Sequence, residues 1–341
     1  MRSCVLFDKE DMRVEDRPLP TLSASQVLVR FAFGGICGSD LHYFFQGANG
    51  AFKVRHPFVI GHEVSGTVAA VGAEVKAVAV GDSVAINPGI PCQQCHYCRI
   101  GRENLCVAMR FYGSASTMPH TDGAFQEYLA VAETQCCWLP SETDLRVAAM
   151  AEPLSVTLHA LNRAGNLMGK SVLISGVGTI GALTVLAARR MGAGAITVSD
   201  VLDARLERAI ACGATRAVNV SKEPLGDAPQ WDVVIEASGS IKALNSAIDS
   251  VHKGGTIVQI GFVPSGEQPI NLFSVIAKEL TLAGTYRFGI EFNHAVDYLV
   301  SGLIDVSPLI THSYSVDDSA EAFKVAADGT KSVKVQLYFP G

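Results

Sequence analysis

The sequence lacks an apolar run of 18 residues, and its first residues, MRSCVLFDKEDMRVEDRP, carry too many charges for a secretory signal peptide. It also lacks an excess of basic residues. With 27 Lys and Arg against 33 Asp and Glu, the net charge is −6 and no basic footprint for nucleic acid is present. We see no internal repeat and no low-complexity tract. These absences argue against membrane-spanning and nucleic-acid-binding classes, and we expect a cytoplasmic protein.

The composition that is present indicates a folded enzyme-sized chain. Hydrophobic residues make up 48% of the 341 residues and charged residues 18%, which is enough apolar side chain for real cores. This length favours two domains.

Four of the nine cysteines form a cluster with the spacing C-x2-C-x2-C-x7-C: Cys92, Cys95, Cys98 and Cys106. In a chain without a secretion signal, this spacing indicates metal binding rather than disulfide bonds. Four thiolates complete a tetrahedron around zinc and leave no open position, so we predict a structural zinc site.

Two alternatives concern the cysteines. A zinc ribbon for nucleic acid is suggested by a basic rim around the cluster, formed by His96, Arg99 and Arg102, but the net charge argues against it. The other cysteines are expected to be small buried apolar residues, although the adjacent pair could form a third metal site: Cys4, Cys136, Cys137 and Cys212.

The segment GGICGSDLHYF, residues 34–44, places a thiol at Cys37, a hydroxyl at Ser39 and an imidazole at His42. Its glycines are expected to let the backbone turn sharply and approach a ligand. A thiolate with a hydroxyl and an imidazole close by could bind a metal and move a proton. The alternative is a glycine-rich turn that contains a buried cysteine.

Two further segments supply candidate zinc ligands. His62 and Glu63 follow Gly61, and Glu152 lies in the sequence Ala-Glu-Pro. A catalytic zinc needs three protein ligands and one open position, and cysteine, histidine and carboxylate are suitable types. Glu152 could instead be a carboxylate at a helix start, where the helix dipole stabilises it.

Residues 1–150 have the pattern of many short strands separated by turn residues, which is typical of a barrel or sandwich. The predicted strands are Gln26–Phe33, Gly66–Val71, Asp82–Asn87 and Ala124–Val131.

After about residue 150, strands and helices alternate, which favours a parallel sheet with helices on both faces. The predicted strands are Ser171–Ser175, Ala195–Asp200, Asp232–Glu236, Gly255–Ile260 and Leu280–Ala283. The predicted helices are Glu152–Ala164, Thr179–Met191, Ala204–Cys212, Ala295–Ser301 and Ala320–Asp328. A closing strand, Val333–Phe339, could return to the first domain.

The loop SGVGTIG, residues 175–181, follows a predicted strand and opens a predicted helix. In a dinucleotide site, Gly176 makes the tight turn, Gly178 admits the pyrophosphate and Gly181 lets the helix pack on the strand. Thr179 and Ile180 complete the helix N-terminus, whose free N–H groups suit phosphates.

The next predicted strand ends at Asp200, 19 residues after Gly181. A carboxylate there accepts hydrogen bonds from the ribose hydroxyls and repels a 2′-phosphate, so we expect a preference for NAD over NADP. Arg205 could accept that phosphate if Asp200 moved away, which keeps NADP possible. An α/β domain with an empty glycine turn is the alternative.

Taken together, these motifs resemble those of the zinc-dependent medium-chain dehydrogenases/reductases, and in particular the polyol dehydrogenase group. The resemblance covers essentially the whole chain and rests on five segments: GGICGSDLHYF, GHEVSGTV, the cysteine cluster, AEPLSVTLHA and SGVGTIG. It implies an α/β protein with a GroES-like β-barrel catalytic domain and a Rossmann domain, the active site lying in the cleft between them. The implied ranges are 1–151 (with a zinc lobe at about 88–110), 152–286, and 287–341 as a return to the catalytic domain.

The resemblance also implies residue roles. Cys37 and His62 match catalytic zinc ligands, Glu63 matches the third ligand of polyol dehydrogenases, and Glu152 matches a glutamate that binds zinc or holds its water. Which glutamate contacts the metal stays open. With the structural site this gives two zinc ions per chain. Ser39 would accept the proton of the substrate alcohol and His42 would pass it to solvent, while NAD accepts hydride.

Substrate recognition follows from the same comparison. Three segments most resemble the L-idonate 5-dehydrogenases: AINPGIPCQQCHYC, MRFYGSASTMPHTDGAF and GTYRFGIEF. The implied substrate contacts are Tyr43, Arg110, His120 and Arg287, although Arg110 could equally form a surface or interface salt bridge. A sugar acid is therefore expected, with a neutral polyol such as xylitol or L-iditol as the alternative. A zinc-free, non-catalytic relative is the alternative outside the enzymes.

The resemblance further suggests a homo-oligomer, a dimer or tetramer joined through the last Rossmann strand, Leu280–Ala283.

Overall fold

The computed structural model describes residues 1–226 and 230–340, which form two compact units. Unit 1 consists of Met1–Glu152, Phe292–Gly302 and the residues from Val306 onward, and unit 2 consists of Pro153–Glu291 and Leu303–Asp305. Within the described residues, no helix has the length and apolar character that crossing a membrane requires.

The elements have the following bounds. The strands are β1 (Arg2–Asp8), β2 (Asp11–Asp16), β3 (Gln26–Gly35), β4 (Ala48–Asn49), β5 (Phe52–Lys53), β6 (Phe58–Val59), β7 (Glu63–Val71), β8 (Ser83–Ile86), β9 (Gly89–Ile90), β10 (Arg110–Phe111), β11 (Tyr128–Ala132), β12 (Cys136–Leu139), β13 (Ser171–Ser175), β14 (Ala195–Asp200), β15 (Arg216–Asn219), β16 (Trp231–Glu236), β17 (Val251–Gln259), β18 (Thr281–Gly284), β19 (Ile310–Ser315) and β20 (Lys334–Tyr338). The helices are α1 (Gly38–Gln46), α2 (His96–Arg99), α3 (Leu145–Ala148), α4 (Ala151–Ala164), α5 (Thr179–Arg190), α6 (Asp203–Ala211), α7 (Ile241–Ser250), α8 (Leu272–Ala277), α9 (Glu291–Val300) and α10 (Ser319–Ala327).

Unit 1 is built on a seven-stranded sheet with the order β12-β8-β7-β3-β20-β19, in which β11 also pairs with β3. A smaller sheet has the order β2-β1-β6. The inward residues of β3 alternate, with Val27, Val29 and Phe31 buried, as expected for strands with one core face. The predicted closing strand is observed as β20, which pairs with β3 and so belongs to the first domain.

Unit 2 contains a six-stranded parallel sheet with the order β15-β14-β13-β16-β17-β18. Numbered along the chain, this order is 3-2-1-4-5-6, the strand order of a dinucleotide-binding Rossmann fold. β13 and β14 have the predicted bounds. The predicted fold class, a GroES-like domain with a doubly wound parallel sheet, is confirmed.

The segment at residues 34–44 corrects one prediction, because it is a strand end and a helix rather than a sharp glycine turn. Gly34 and Gly35 complete β3, and α1 begins at Gly38 with Cys37 as its N-cap. None of these three glycines has a positive φ. Gly34 and Gly35 are needed because a Cβ would meet Phe31 and Phe125 at Gly34, and Glu63 at Gly35. The missing side chains at these two positions let other side chains of the protein, rather than a ligand, lie close to the backbone.

The fourth predicted strand is also shorter than expected. Only Tyr128–Ala132 forms β11, because residues 123–125 make backbone hydrogen bonds with residues 59–61 instead. Several observed elements have no predicted counterpart, among them β15, α7 and α8.

Candidate active site

Cys37, His62 and Glu63 lie together in unit 1, with ligand atoms within 4.8 Å of one another. Cys37 follows β3, His62 lies just before β7, and Glu63 is the first residue of β7. A thiolate, an imidazole and a carboxylate are three ligand types that suit zinc and leave a fourth position open. The donor set therefore fits a catalytic zinc.

The start of α1 holds two of these ligands in place through Asp40. Asp40 Oδ2 accepts the Cys37 N–H at 2.9 Å, and Oδ1 accepts the Gly61 N–H at 3.2 Å. His62 Nδ1 lies 3.6 Å from Asp40 Oδ1. With Nδ1 facing a carboxylate, Nε2 is the nitrogen left for a metal. Gly61, which precedes His62, has φ +91°, a backbone conformation that glycine adopts more readily than other residues.

Glu63 is paired with a buried lysine. Lys334 Nζ donates to both Glu63 oxygens at 2.7 Å and to the Ile36 carbonyl at 3.0 Å. The side chains are 2% and 1% exposed. Gly35 makes the pair possible, because a Cβ there would collide with Glu63 Oε2.

Glu152, the second residue of α4, is buried close enough to His62 and Glu63 to interact electrostatically. Burial raises its pKa to about 7, and Glu63 adds to the rise, while His62 and Lys334 oppose it. Burial likewise raises the pKa of Asp40. A divalent cation among these groups would favour their charged forms. Glu152 is not part of the 4.8 Å cluster, so the geometry places Glu63, rather than Glu152, next to Cys37 and His62.

Ser39 and His42 lie three residues apart on α1, so their side chains share a helix face. Ser39 is half-buried and His42 is exposed. His42 Nδ1 lies 3.3 Å from Asn49 Oδ1. The face therefore leads from the half-buried serine, two residues after Cys37, to an imidazole in solvent.

The four clustered cysteines also converge, with sulfurs within 4.8 Å of one another: Cys92, Cys95, Cys98 and Cys106. The Cys95 and Cys98 Sγ atoms are 3.6 Å apart, close to the ~3.8 Å expected for zinc–sulfur bonds of about 2.3 Å in a tetrahedron. Backbone N–H groups of Cys98 and Val107 lower the pKa of Cys95 to about 6. These donors fit a closed structural zinc site.

The remaining cysteines meet the sequence expectation only in part. Cys4 is buried, whereas Cys136, Cys137 and Cys212 are half-buried. In the described part of the chain, clusters of three or more metal-ligand side chains occur only at the two sites above, so the pair at 136 and 137 has no further such ligands around it.

The three glycines of the loop in unit 2 have different surroundings. Gly176 has φ +84°, and a Cβ there would lie 2.7 Å from Ser238 Cα. A Cβ on Gly178 would meet nothing within 4 Å, which leaves open space at the N-cap of α5. A Cβ on Gly181 would collide with the Gly176 carbonyl. Thr179 and Ile180 form the half-buried first turn of α5. This cradle fits a pyrophosphate.

Asp200 ends β14 and is held by backbone donors. Its Oδ2 accepts the Val177 N–H at 2.9 Å, and its Oδ1 accepts the Val201 and Leu202 N–H groups at 2.8 and 3.1 Å. Arg205 Nη1 lies 3.6 Å from Oδ2. The carboxylate thus bonds to the backbone of the glycine loop and is paired with Arg205, the predicted alternative partner for a 2′-phosphate.

Two of the predicted substrate residues are engaged inside unit 1. Tyr43 is 2% exposed, and its hydroxyl accepts the Ala115 N–H at 3.1 Å. His120 is buried; its Nε2 accepts the Arg55 N–H at 2.9 Å and its Nδ1 lies 3.0 Å from the Thr117 carbonyl. In this arrangement neither ring nitrogen of His120 has a hydrogen bond left for a substrate.

The two predicted arginines lie in different units. Arg110 is exposed in β10 of unit 1. Arg287 is half-buried in unit 2, has φ +53°, and places its guanidinium 4.7 Å from the Tyr286 ring centroid. The structure therefore does not bring the four candidate substrate residues together within one unit.

Sequence reasoning missed Asp40 and Lys334. Asp40 was visible three residues after Cys37, as expected for a capping-box partner. Lys334 was visible as a lysine between two valines in a predicted strand. A lysine in a strand that is otherwise buried indicates a buried carboxylate partner, but only strand pairing shows which one.

Two protein families together match most of the chain. Residues 23–141 match the alcohol dehydrogenase GroES-like domain, and residues 179–301 match the zinc-binding dehydrogenase family. The chain is 39% identical to the Escherichia coli K12 L-idonate 5-dehydrogenase (NAD(P)(+)), over 99% of this chain and 98% of that protein. It is 34% identical to the Bacillus subtilis 168 sorbitol dehydrogenase, over 99% and 97%.

Solved structures agree with these matches. The E. coli L-idonate 5-dehydrogenase superposes with a TM-score of 0.95 at 39% identity, covering 99% of this chain and 98% of that one. A Sinorhizobium meliloti protein bound to NADP gives 0.90 at 30% identity, covering 99% and 98%. An alcohol dehydrogenase of E. coli CFT073 in complex with NADH gives 0.92 at 30%, covering 99% of both chains. The chain belongs to the zinc-binding medium-chain dehydrogenases, and its relatives there include polyol and sugar-acid dehydrogenases.

Proposed function

We propose that the protein is a zinc- and NAD-dependent oxidoreductase that reversibly oxidises the C5 secondary alcohol of L-idonate to 5-keto-D-gluconate. The observation that carries the reaction class is the convergence of Cys37, His62 and Glu63 within 4.8 Å. The substrate rests on the three segments that resemble L-idonate 5-dehydrogenases and on the 39% identity to the E. coli enzyme.

Two zinc ions per chain are proposed, one at Cys37, His62 and Glu63 with Glu152 nearby, and one at the four-cysteine cluster. When bound, the catalytic zinc supplies Lewis-acid polarisation of the substrate hydroxyl. Metal analysis distinguishes this enzyme from a zinc-free relative: two zinc per chain support the proposal, and one or none supports the relative. Because none of the nine cysteines forms a disulfide bond, we also propose a cytoplasmic, reducing location.

The chain's own groups move the proton. Ser39 accepts the proton of the substrate hydroxyl, and His42, on the same face of α1, passes it to solvent. The contact between His42 Nδ1 and Asn49 occupies one ring nitrogen, which leaves Nε2 for the relay. Loss of the proton and loss of hydride together complete the oxidation of the alcohol to a ketone.

NAD is the proposed cofactor, held by Gly176, Gly178 and Gly181 and the first turn of α5. Three backbone N–H groups fix the Asp200 carboxylate, which keeps a negative charge where a 2′-phosphate would lie. Kinetics with both cofactors test this proposal, and a strong preference of the wild type for NADP would overturn it in favour of Arg205.

The substrate carboxylate is proposed to meet a guanidinium, with Arg287 as the first candidate and Arg110 as the second. His120 is left out, since its ring nitrogens are engaged. A site arranged for a carboxylate rejects a neutral polyol, because the arginine is then left unpaired at a cost of roughly 2–5 kcal/mol.

A substrate panel with NAD tests the proposal: L-idonate, D-gluconate, L-iditol, D-sorbitol, xylitol and L-threonine. L-idonate should exceed L-iditol and xylitol by at least about tenfold in kcat/KM. If a neutral polyol were preferred, the protein would be a polyol dehydrogenase, an alternative with which the 34% identity to a sorbitol dehydrogenase is consistent. If L-idonate is preferred, Arg287→Ala and Arg110→Ala are compared on acid and polyol substrates. Only the variant that lacks the carboxylate contact should lose activity on the acid selectively, whereas loss of a general hydroxyl contact should lower both activities.

A homo-oligomer, dimer or tetramer, is proposed through the edge strand β18. The segment that precedes β18 exposes apolar side chains, with Phe273 80% and Ile276 76% exposed, and β18 itself exposes 37% of Leu282. An apolar edge of this kind pairs readily with a second copy. Sedimentation should show an oligomer that Ile276→Glu weakens; a monomeric wild type would contradict the proposal.

A further inference from the structure

Lys334 is a buried cation whose three N–H donors are all used next to the proposed catalytic zinc. Its Nζ atom bonds both Glu63 oxygens at 2.7 Å and the Ile36 carbonyl at 3.0 Å. Burying an ammonium group is costly unless it is paired and hydrogen-bonded, and here both conditions hold.

Strand register brings the lysine to this position. β20 pairs with β3, where Gln336 faces Gly35, and β3 pairs with β7, where Gly35 faces Glu63. At Gly35 a Cβ would lie 3.2 Å from Lys334 Cδ as well as in collision with Glu63, so the missing side chain admits both partners. The carboxylate and the ammonium group are thus fixed by three neighbouring strands.

The same carboxylate lies within 4.8 Å of the ligand atoms of Cys37 and His62. Glu63 therefore serves two cations, the lysine and the proposed zinc. An ammonium group bonded to both oxygens withdraws donor strength from the carboxylate and repels a nearby dication. Both effects weaken a bond between Glu63 and zinc.

We propose that Lys334 is a positioning residue that competes with the catalytic zinc for Glu63. This inference rests on the proposed function. The competition keeps the Glu63–zinc contact exchangeable and leaves Glu152, which is also within electrostatic reach of Lys334, able to take its place. Lys334 thus tunes how firmly the active-site metal is held.

The test is the rate at which a chelator removes zinc, followed by the absorbance of the chelator complex. Lys334→Met keeps an unbranched side chain, one atom shorter than lysine, and removes its charge. It should slow loss of the catalytic zinc about tenfold or more, the range typical of changes next to metal ligands, while zinc of the four-cysteine site serves as an internal control with unchanged release. Lys334→Arg, which keeps the charge, should not slow the loss.

A double variant shows whether Lys334 acts through Glu63. In a Glu63→Gln background, Lys334→Met should change the release rate by less than about twofold. The same slowing in that background, or equal or faster release in the single variant, would overturn the inference. If Lys334→Met does not fold, Lys334→Gln keeps a hydrogen-bond donor for Glu63 but removes the charge, so it should also slow zinc release, by a smaller factor.

Zinc content of the wild type separates the two proposals. A chain with only the four-cysteine zinc overturns the proposed catalytic site and this inference with it. Two zinc ions with release rates that do not respond to Lys334 overturn the inference alone.

Discussion

Two cysteines test the two zinc sites separately. Cys37 lies in a three-ligand set with an open position, whereas Cys98 lies in a closed four-thiolate set. Cys37→Ser should abolish turnover and remove one zinc while the fold and the second zinc remain. Cys98→Ser should instead lower stability or solubility, because structural zinc contributes folding free energy. Metal analysis, turnover and thermal unfolding measure these effects, and a Cys37→Ser enzyme with wild-type turnover would contradict the catalytic assignment.

Asp200 tests cofactor choice, and its contacts refine the expected result. Asp200→Ala removes the ribose acceptor and also the acceptor of the Val177 N–H in the glycine loop. Losing hydrogen bonds to a charged group costs about 1.5–3 kcal/mol, so KM for NAD should rise roughly tenfold to a hundredfold. KM for NADP should rise less, because the repelling charge is also lost.

Arg205→Ala is the matched control, since Arg205 pairs with the Asp200 carboxylate. It should leave KM for NAD nearly unchanged and raise only KM for NADP. Equal increases for both cofactors in Asp200→Ala would mean that the carboxylate supports the loop and does not discriminate between them.

The residues predicted to act together were identified by chemistry, since cysteine, histidine and glutamate are the ligand types that zinc uses. The structure places Cys37, His62 and Glu63 together. Lys334 could not be predicted in this way because its role depends on β20 and β7 both pairing with β3, which brings together two residues 271 apart in the sequence. Local pattern carries no information about such register. For His120, resemblance predicts a substrate contact, while both ring nitrogens make hydrogen bonds within the protein that the sequence pattern does not show.

At the level of elements, the junction between β3 and α1 positions the proposed zinc ligands, and two glycines there make a matched pair. Gly35→Ala would place a Cβ against Glu63 Oε2, whereas a Cβ on Gly38 would meet nothing within 4 Å. Gly35→Ala should displace the Glu63–Lys334 pair, lower stability by a few kcal/mol and reduce catalytic zinc.

Gly38→Ala should be neutral or stabilise by up to about 1 kcal/mol, since alanine suits the first turn of α1. Denaturant unfolding and zinc content compare the two variants. If the two variants were equally stable, the protein would tolerate a Cβ at residue 35, and the predicted clash with Glu63 would be contradicted.

The regular elements were predictable where the sequence pattern is strong. β13 and β14 match their predicted bounds because continuous apolar runs between turn residues are typical of buried parallel strands. β15 has only four residues at the edge of its sheet, which gives little pattern to detect. α1 was missed because its glycines suggested a turn, whereas the Cys37–Asp40 capping box sets the helix start.

At the scale of the whole molecule, Glu291 links stability to pH. Its Oε1 accepts from His159 Nδ1 and Asn162 Nδ2, each at 3.0 Å, and its Oε2 accepts the Gly289 N–H at 2.9 Å. Burial alone would raise the pKa of Glu291, but the hydrogen bonds from His159 and Asn162 lower it from 4.5 to about 2. Between these values the unfolded chain binds a proton that the folded protein does not, so stability falls as the pH falls.

The contribution is on the order of 3 kcal/mol above pH 4.5, lost progressively toward pH 2. Glu291→Gln should lose much of this at pH 7 and show a weaker decline in unfolding midpoint on acidification. The exposed Glu321→Gln is the control and should behave like the wild type. If Glu291→Gln and the wild type declined in parallel, the carboxylate would not be the source of the dependence.

The overall architecture was predictable because alternating strands and helices, a glycine loop and clustered metal ligands each agree with one fold. The observed strand order 3-2-1-4-5-6 agrees with the Rossmann domain that the resemblance implies, whereas local pattern carries no information about strand order. The sequence predicts only that the closing strand returns to the first domain. That β20 places Lys334 beside Glu63 follows from the register of its pairing with β3, which the sequence does not show.

That pairing has a consequence for how the protein is made. Ribosomes synthesise the chain from the N-terminus, so Cys37, His62 and Glu63 leave the ribosome long before Lys334. At about 5–20 residues per second, the stretch from Pro153 to Glu291 is synthesised and can fold while β20 is still missing. Until β20 is synthesised, Glu63 lacks its ammonium partner, so no lysine competes with a metal ion for its carboxylate. Nascent chains should therefore capture zinc at this site more readily than the finished protein exchanges it.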